Sequence, residues 1–239
     1  MISDPFELNY SKVKAYLDCP SLYKYIYIEH NYTPHTPFSA LGISVHRALD
    51  RYHSAGGGLE DLMRYYDEGW HHHGFDTPQQ TLEFYGFGRR ILENYRKAEQ
   101  SSERTEIVFT EKEFEFEFER WRVRGTIDRV DRAPGGGYEI IDYKMGFEPK
   151  TLENLEKDLQ LAMYAIGLKK AFNMEVKTVS WLLLVKGEKV SAPHNPSREE
   201  SVLALLRDTG EKILALDLSR RGNCPSCPIR KLCSRSDAK

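Results

Sequence analysis

The chain has 239 residues, enough to bury a full core as one domain or as one domain with an appendage. Its 40% hydrophobic and 29% charged residues are ordinary for a globular protein, and a formal net charge of −2 argues against an overall basic coat while leaving room for a local basic groove. No apolar run reaches membrane-spanning length, the N-terminus lacks a signal-peptide pattern, and no Walker A sequence supplies an ATP motor, so a cytoplasmic protein is expected.

Ser11 is placed to cap a short helix through Leu17, and Cys19-Pro20 opens an aromatic helix running through Tyr27. Pro34 and Pro37 mark a loop before a helix over 39–53, whose apolar stripe is Leu41, Val45, Ala48, Leu49 and Tyr52. Gly42 and His46 stand at i and i+4 on a neighbouring face. The missing side chain at Gly42 leaves room beside His46 for a metal or a phosphate, although a helical histidine taken alone is more often structural or solvated. Gly56-Gly57-Gly58 breaks the chain, and helices over 59–70 and 77–98 follow. Consecutive helical residues diverge around the axis, so His71-His72-His73 reads as a solvated helix end. Arg89, Arg90, Arg96 and Lys97 form a basic face that is solvated by default, with a DNA track as the minority reading.

Residues 106–119 switch to period two, which puts Phe114, Phe116 and Phe118 on one face of a strand and leaves an acidic outer face turned away from DNA. Two β-rich runs then flank Ala133-Pro134-Gly135-Gly136-Gly137, a hairpin signal. A hairpin centred on Gly135 sets Asp128 opposite Asp142 and Thr126 opposite Lys144. Asp142 and Lys144 then share a face, and the two opposed carboxylates repel unless a cation such as Mg²⁺ sits between them, the bland alternative being an exposed ribbon in which Lys144 merely pairs with Asp142. A slip of one residue would put the aspartates on opposite faces. Ile140 and Ile141 flank Asp142 on both faces, so the second strand is expected to be buried, where a carboxylate needs a partner.

A helix is expected over 152–172 after Pro149, with Gln160 and Tyr164 on one face, a pair that taken alone reads as an ordinary polar surface residue plus a snorkelling aromatic; Glu156, Asp158 and Lys169 receive no role. Residues 177–186 form a nearly continuous apolar strand of the kind covered on both faces, and 196–218 a helix. The order of elements predicts an α/β or α+β fold with helices flanking a mixed sheet. Cys224, Cys227 and Cys233 close the chain and, with Cys19, are its four cysteines. In a reducing compartment such spacing means metal more often than disulfide, and by spacing alone zinc is the commoner case.

At Ile140-Ile141-Asp142-Tyr143-Lys144 the chain resembles the PD-(D/E)XK nuclease superfamily, and more closely its RecB-like and CRISPR-associated exonuclease branch. The ordered set Cys19, Gly42-x-x-x-His46, Asp128, Asp142-x-Lys144, Gln160-x-x-x-Tyr164 and three tail cysteines spans nearly the whole chain. One departure is Asp142 where much of the superfamily carries Glu. The resemblance implies a restriction-endonuclease-like core over 1–239, with Cys19 and 222–235 forming a lobe that holds a [4Fe–4S] cluster rather than zinc. It further implies that His46, Asp128, Asp142 and the Tyr143 carbonyl hold Mg²⁺ or Mn²⁺. Lys144 would orient the attacking water, and Gln160 and Tyr164 would position the strand or the Lys144 amine. The implied activity is cleavage of DNA phosphodiesters, chiefly as an exonuclease on single strands or ends, in repair, recombination or CRISPR adaptation. A helicase or adaptation proteins are the implied partners. The competing reading is a non-catalytic DNA-binding or assembly subunit.

Overall fold

A computed structural model describes residues 6–31, 35–101, 105–146, 151–219 and 222–233. Pro34, Pro149 and the last two residues of the expected cysteine lobe, 234 and 235, lie outside that range. The chain divides into two compact units: Met1–Thr33, Phe114–Gly125 and Pro196–Lys239 form one, and Pro34–Glu113 with Thr126–Asn195 the other.

The elements are β1 (Phe6–Leu8), α1 (Tyr10–Asp18), α2 (Pro20–Tyr23) with a π-helical turn (Lys24–Ile28), α3 (Pro37–Ala55), α4 (Leu59–Glu68) and α5 (Pro78–Ser101). There follow β2 (Ile107–Phe118), β3 (Trp121–Arg132), β4 (Tyr138–Lys144), α6 (Leu152–Glu156), α7 (Leu159–Phe172), β5 (Val176–Leu183), β6 (Glu188–Pro193) and α8 (Glu199–Leu214). Asn9, not Ser11, caps α1 by accepting the Lys12 N–H at 2.9 Å. The strands β1 and β6 have no counterpart in the sequence reading, because three and six residues of mixed polarity carry little period-two signal. The single helix expected over 152–172 is two helices. Asp158, given no role from sequence, interrupts it by accepting the Leu161 N–H at 2.9 Å and starting α7. The helix expected over 196–218 is confined to α8, preceded by a 3₁₀ turn over Pro196–Arg198.

In the larger unit β3, β4, β5 and β6 form a mixed sheet, with β3–β4 antiparallel, β4–β5 parallel and β5–β6 antiparallel. The β3–β4 pairs run from Arg129↔Ile141 to Arg132↔Tyr138, the register of a hairpin centred on Gly135. Gly135, Gly136 and Gly137 all have positive φ, which turns the chain at the expected place. Alternation sends Ile141 and Tyr143 to one sheet face, into a core with Leu41, Val45, Ala48, Leu49 and Tyr52 of α3 and side chains of α4 and α5. The five stripe residues expected from sequence are all buried. Pro37 sits in the first turn of α3, and Thr36 and Ser39 cap it reciprocally at 3.2 and 2.8 Å. On the opposite face α7 crosses β4 and β5, so the sheet is covered on both sides as its apolar strands require.

In the smaller unit β1 pairs parallel with Trp121–Val123 of β3. The Tyr16 hydroxyl donates to the Asp217 carbonyl at 2.6 Å, which ties α1 to the chain after α8. Trp121 is fully buried against Gly210 of α8.

Candidate active site and metal centre

The larger unit brings the residues of the hairpin motif together. Beyond Arg129↔Ile141 the ladder gives way to a side chain: Asp128 Oδ2 accepts the Tyr143 N–H at 2.7 Å. Asp128 therefore holds β4 at the point where Asp142 and Lys144 emerge. Neither expected pair, Asp128–Asp142 nor Thr126–Lys144, is part of the ladder, which ends at Arg129↔Ile141, where the Asp128 side chain takes up the next β4 N–H.

Asp142 is 1% exposed, and its Oδ2 lies 2.5 Å from Lys144 Nζ. Burial first, and then the neighbouring Asp128 charge, push the Asp142 carboxyl up to about 7, against the opposing pull of Lys144. The Lys144 amine also donates to Gln160 Oε1 at 2.9 Å, and Gln160 Nε2 donates to the Tyr164 hydroxyl at 2.8 Å. Gln160 and Tyr164 thus form a strut from α7 that fixes the amine. Burial, ahead of nearby carboxylate charge, keeps the Tyr164 hydroxyl protonated well above neutrality.

His46 reaches the same site from α3. Its Nδ1 lies 3.6 Å from Asp128 Oδ1 and 3.8 Å from Glu111 Oε1, and its ring meets Tyr143 edge-on at 5.4 Å. One ligand atom from each of His46, Glu111 and Asp128 lies within 4.8 Å of the other two. Burial disfavours the imidazolium, yet the Asp128 and Glu111 carboxylates beside it outweigh that and push the imidazole up to about 10. Two carboxylates around one imidazole form a concentration of negative charge with the N and O donors that a divalent cation takes. Gly42 contributes differently from expectation: a Cβ there would meet Met145 Cγ at 3.5 Å, an ordinary contact, so the glycine faces the chain after the motif.

Glu111 was invisible to the period-two reading, which sent the acidic residues of β2 outward, away from any polyanion. Its φ of +42° breaks the alternation, and its carboxylate joins the site. Arg89 and Arg96 of the expected basic face pair with Asp67 and Glu99, at 3.3 and 3.1 Å. The triplet His71–His73 is not a helix end, since α4 stops at Glu68 and the three histidines follow in irregular chain.

In the smaller unit Cys19, Cys224, Cys227 and Cys233 are unbridged and line one cavity of about 340 Å³. Gly222 makes the approach possible, because a Cβ there would stand 2.2 Å from the Asp18 carbonyl and 2.5 Å from Cys19 Cβ. Burial alone would raise the Cys19 thiol, but the N–H groups of Leu22, Ser21 and Gly222 outweigh it and hold the thiol below its ordinary value. Burial and the other three sulfurs push Cys227 the other way. No three of these sulfurs lie within 4.8 Å of one another.

Among the described residues no helix is long and apolar enough to cross a membrane. A comparison with curated proteins finds no match. A solved structure titled "Crystal structure of SSO0001" is similar at 18% identity and a TM-score of 0.38, covering 94% of this chain and 92% of that one. The sequence profile of the PD-(D/E)XK nuclease superfamily matches residues 7–234, and the mixed sheet flanked by helices is consistent with a restriction-endonuclease-like fold. With a profile match over nearly its whole length, this chain belongs to the PD-(D/E)XK nuclease superfamily.

Proposed function

We propose that the chain is a Mg²⁺- or Mn²⁺-dependent deoxyribonuclease, acting mainly as an exonuclease on single-stranded DNA or DNA ends. The observation that carries this reading is the Lys144 amine fixed between Asp142 and Gln160. The hairpin that presents it also carries Asp128, gathered with His46 and Glu111 in one cradle.

His46, Glu111 and Asp128, with Asp142 and the Tyr143 carbonyl alongside, would hold the metal. When bound, a divalent cation polarises a phosphoryl oxygen and lowers the pKa of a coordinated water. Lys144 orients that water through its amine hydrogens and places positive charge where the phosphoryl oxygens gain negative charge. Gln160, braced by Tyr164, keeps the amine from collapsing wholly onto Asp142. Asp128 would serve twice, as a ligand and, through Oδ2, as the acceptor of the Tyr143 N–H. A binding module would gain nothing from burying Asp142 at the cost of its solvation.

The cysteine lobe is proposed to hold a [4Fe–4S] cluster. All four cysteines line one cavity, which would give a cluster its four thiolates. The biological setting that fits is DNA repair, recombination or CRISPR adaptation, with a helicase or adaptation proteins supplying what a chain without a motor lacks.

The test is digestion of end-labelled single-stranded and duplex DNA, and of internally labelled covalently closed circular DNA, with Mn²⁺ or Mg²⁺. The reading expects labelled mononucleotides or short products from linear strands and little from the circle. Rapid cutting of the circle would make the enzyme an endonuclease, and inertness on all three would leave the binding-subunit reading standing.

A further inference from the structure

The larger unit carries a second group of metal-binding side chains, formed by His35, His71 and His73. The His35 and His71 ring centroids are 4.7 Å apart and those of His71 and His73 5.7 Å apart, both pairs steeply inclined. Two imidazoles on one tetrahedral zinc, with Zn–N about 2.0–2.1 Å, have centroids roughly 5 Å apart. His71 Nε2 is buried and has no hydrogen-bond partner among the described residues. A buried ring nitrogen without a partner is costly unless a ligand takes it up.

The backbone is arranged to bring these rings together. His71 and His73 lie two residues apart in irregular chain, and their rings meet edge-on. The His71 N–H is anchored by donation to Ser44 Oγ of α3 at 2.9 Å. Gly74 adopts φ +103°, and a Cβ there would stand 2.9 Å from the His35 carbonyl, so only glycine permits the segment to dock beside His35.

We propose that His35, His71 and His73 form a three-histidine site for a borderline transition-metal ion such as Zn²⁺, Co²⁺ or Ni²⁺, with water as the fourth ligand. Imidazole donors select these metals over Mg²⁺ and Mn²⁺. The ring nitrogens are not all within 4.8 Å as they stand. Capture therefore turns the rim imidazoles about χ2, a broad torsion for histidine. The bound ion pins the segment entering α3 to the loop leaving α4, and α3 is the helix that presents His46. The site stands independently of the nuclease reading.

Titration of the full-length, tag-free protein with Co²⁺, followed by visible absorption, tests the proposal. Wild type is expected to develop tetrahedral d–d bands without a thiolate charge-transfer band, which separates this site from the cysteines. His35→Ala and His73→Ala should each weaken that binding at least about tenfold, as much as losing an outer-shell partner costs a metal site. His72→Ala and Asp128→Ala should leave it unchanged, and Mn²⁺-dependent cleavage by His73→Ala should match wild type. Absence of the bands in wild type, their persistence in both variants, or their loss only with Asp128→Ala would overturn the site.

Discussion

Lys144 sits at the junction of two contacts, and its neighbours divide the labour between charge and position. Asp142 neutralises the amine at 2.5 Å, whereas Gln160 aims it without altering its charge. Gln160→Ala is therefore expected to slow cleavage roughly tenfold, within the range of a misplaced catalytic group, while leaving KM for DNA nearly unchanged. Single-turnover kinetics would show the loss, and a rise in KM alone would place Gln160 in substrate binding instead. Glu111 is the residue the sequence hid. Its alternation with Phe114 and Phe116 reads as a solvent face, and nothing in a Glu-rich strand announces a left-handed residue at φ +42°. Glu111→Gln removes one charge from the cradle with His46 and Asp128 and should weaken Mn²⁺ binding in calorimetric titration. Affinity equal to wild type would remove Glu111 from the metal centre. Strand period two puts Asp142 and Lys144 on one face and helix i,i+4 spacing does the same for Gln160 and Tyr164, but spacing alone reads the latter pair as ordinary surface residues, and their role came from the family resemblance.

At the scale of elements, the hairpin register followed from its turn. A Pro-Gly-Gly-Gly run leaves few places for the chain to reverse, and Arg129↔Ile141 keeps the register implied by a reversal at Gly135. The break between α6 and α7 was not legible, since Asp158 reads equally well as a surface residue and as a cap. Helices α3 and α5 meet over a buried polar group that sequence could not pair. His53 Nε2 lies 2.7 Å from the Tyr95 hydroxyl, which accepts from Arg129 Nη1 at 2.8 Å, while Arg129 also grips Asp131 with two bonds of 2.6 Å. Burial first, then the Arg129 charge, hold the His53 ring down at about 4. Because that value lies below the unfolded one, the folded state takes up the proton later on acidification. The stabilisation is fully present above pH 6.5 and is lost as pH falls toward 4. This one group should remove about 2 kcal/mol of stability between pH 7 and pH 5. Urea unfolding at the two pH values should show a smaller drop in His53→Gln than in wild type, and an equal drop would assign the acid sensitivity to carboxylates elsewhere.

For the molecule as a whole, the order of motifs along the chain carried more information than any one of them. The mixed sheet with helices on both faces followed from hydrophobic period and element order. The short strands β1 and β6 did not, because pairing supplies what their sequences lack. Cys19 lies some two hundred residues from its partners in sequence and lines the same cavity in the smaller unit. On the proposed cluster, Cys19→Ser should lose iron and sulfide and expose the tail to limited proteolysis, since a loop so long without its clasp leaves the tail held by packing alone. Zinc without sulfide in the wild-type protein would replace the cluster but keep the clasp. The central claim concerns the hairpin. Cleavage of labelled single-stranded DNA, measured with added Mn²⁺ in wild type and Lys144→Ala side by side, tests it most directly. The account predicts cutting by wild type that EDTA abolishes, and a rate in Lys144→Ala lower by at least about 10²-fold with DNA binding retained. Metal-independent cutting, or near wild-type cutting by Lys144→Ala, would contradict it.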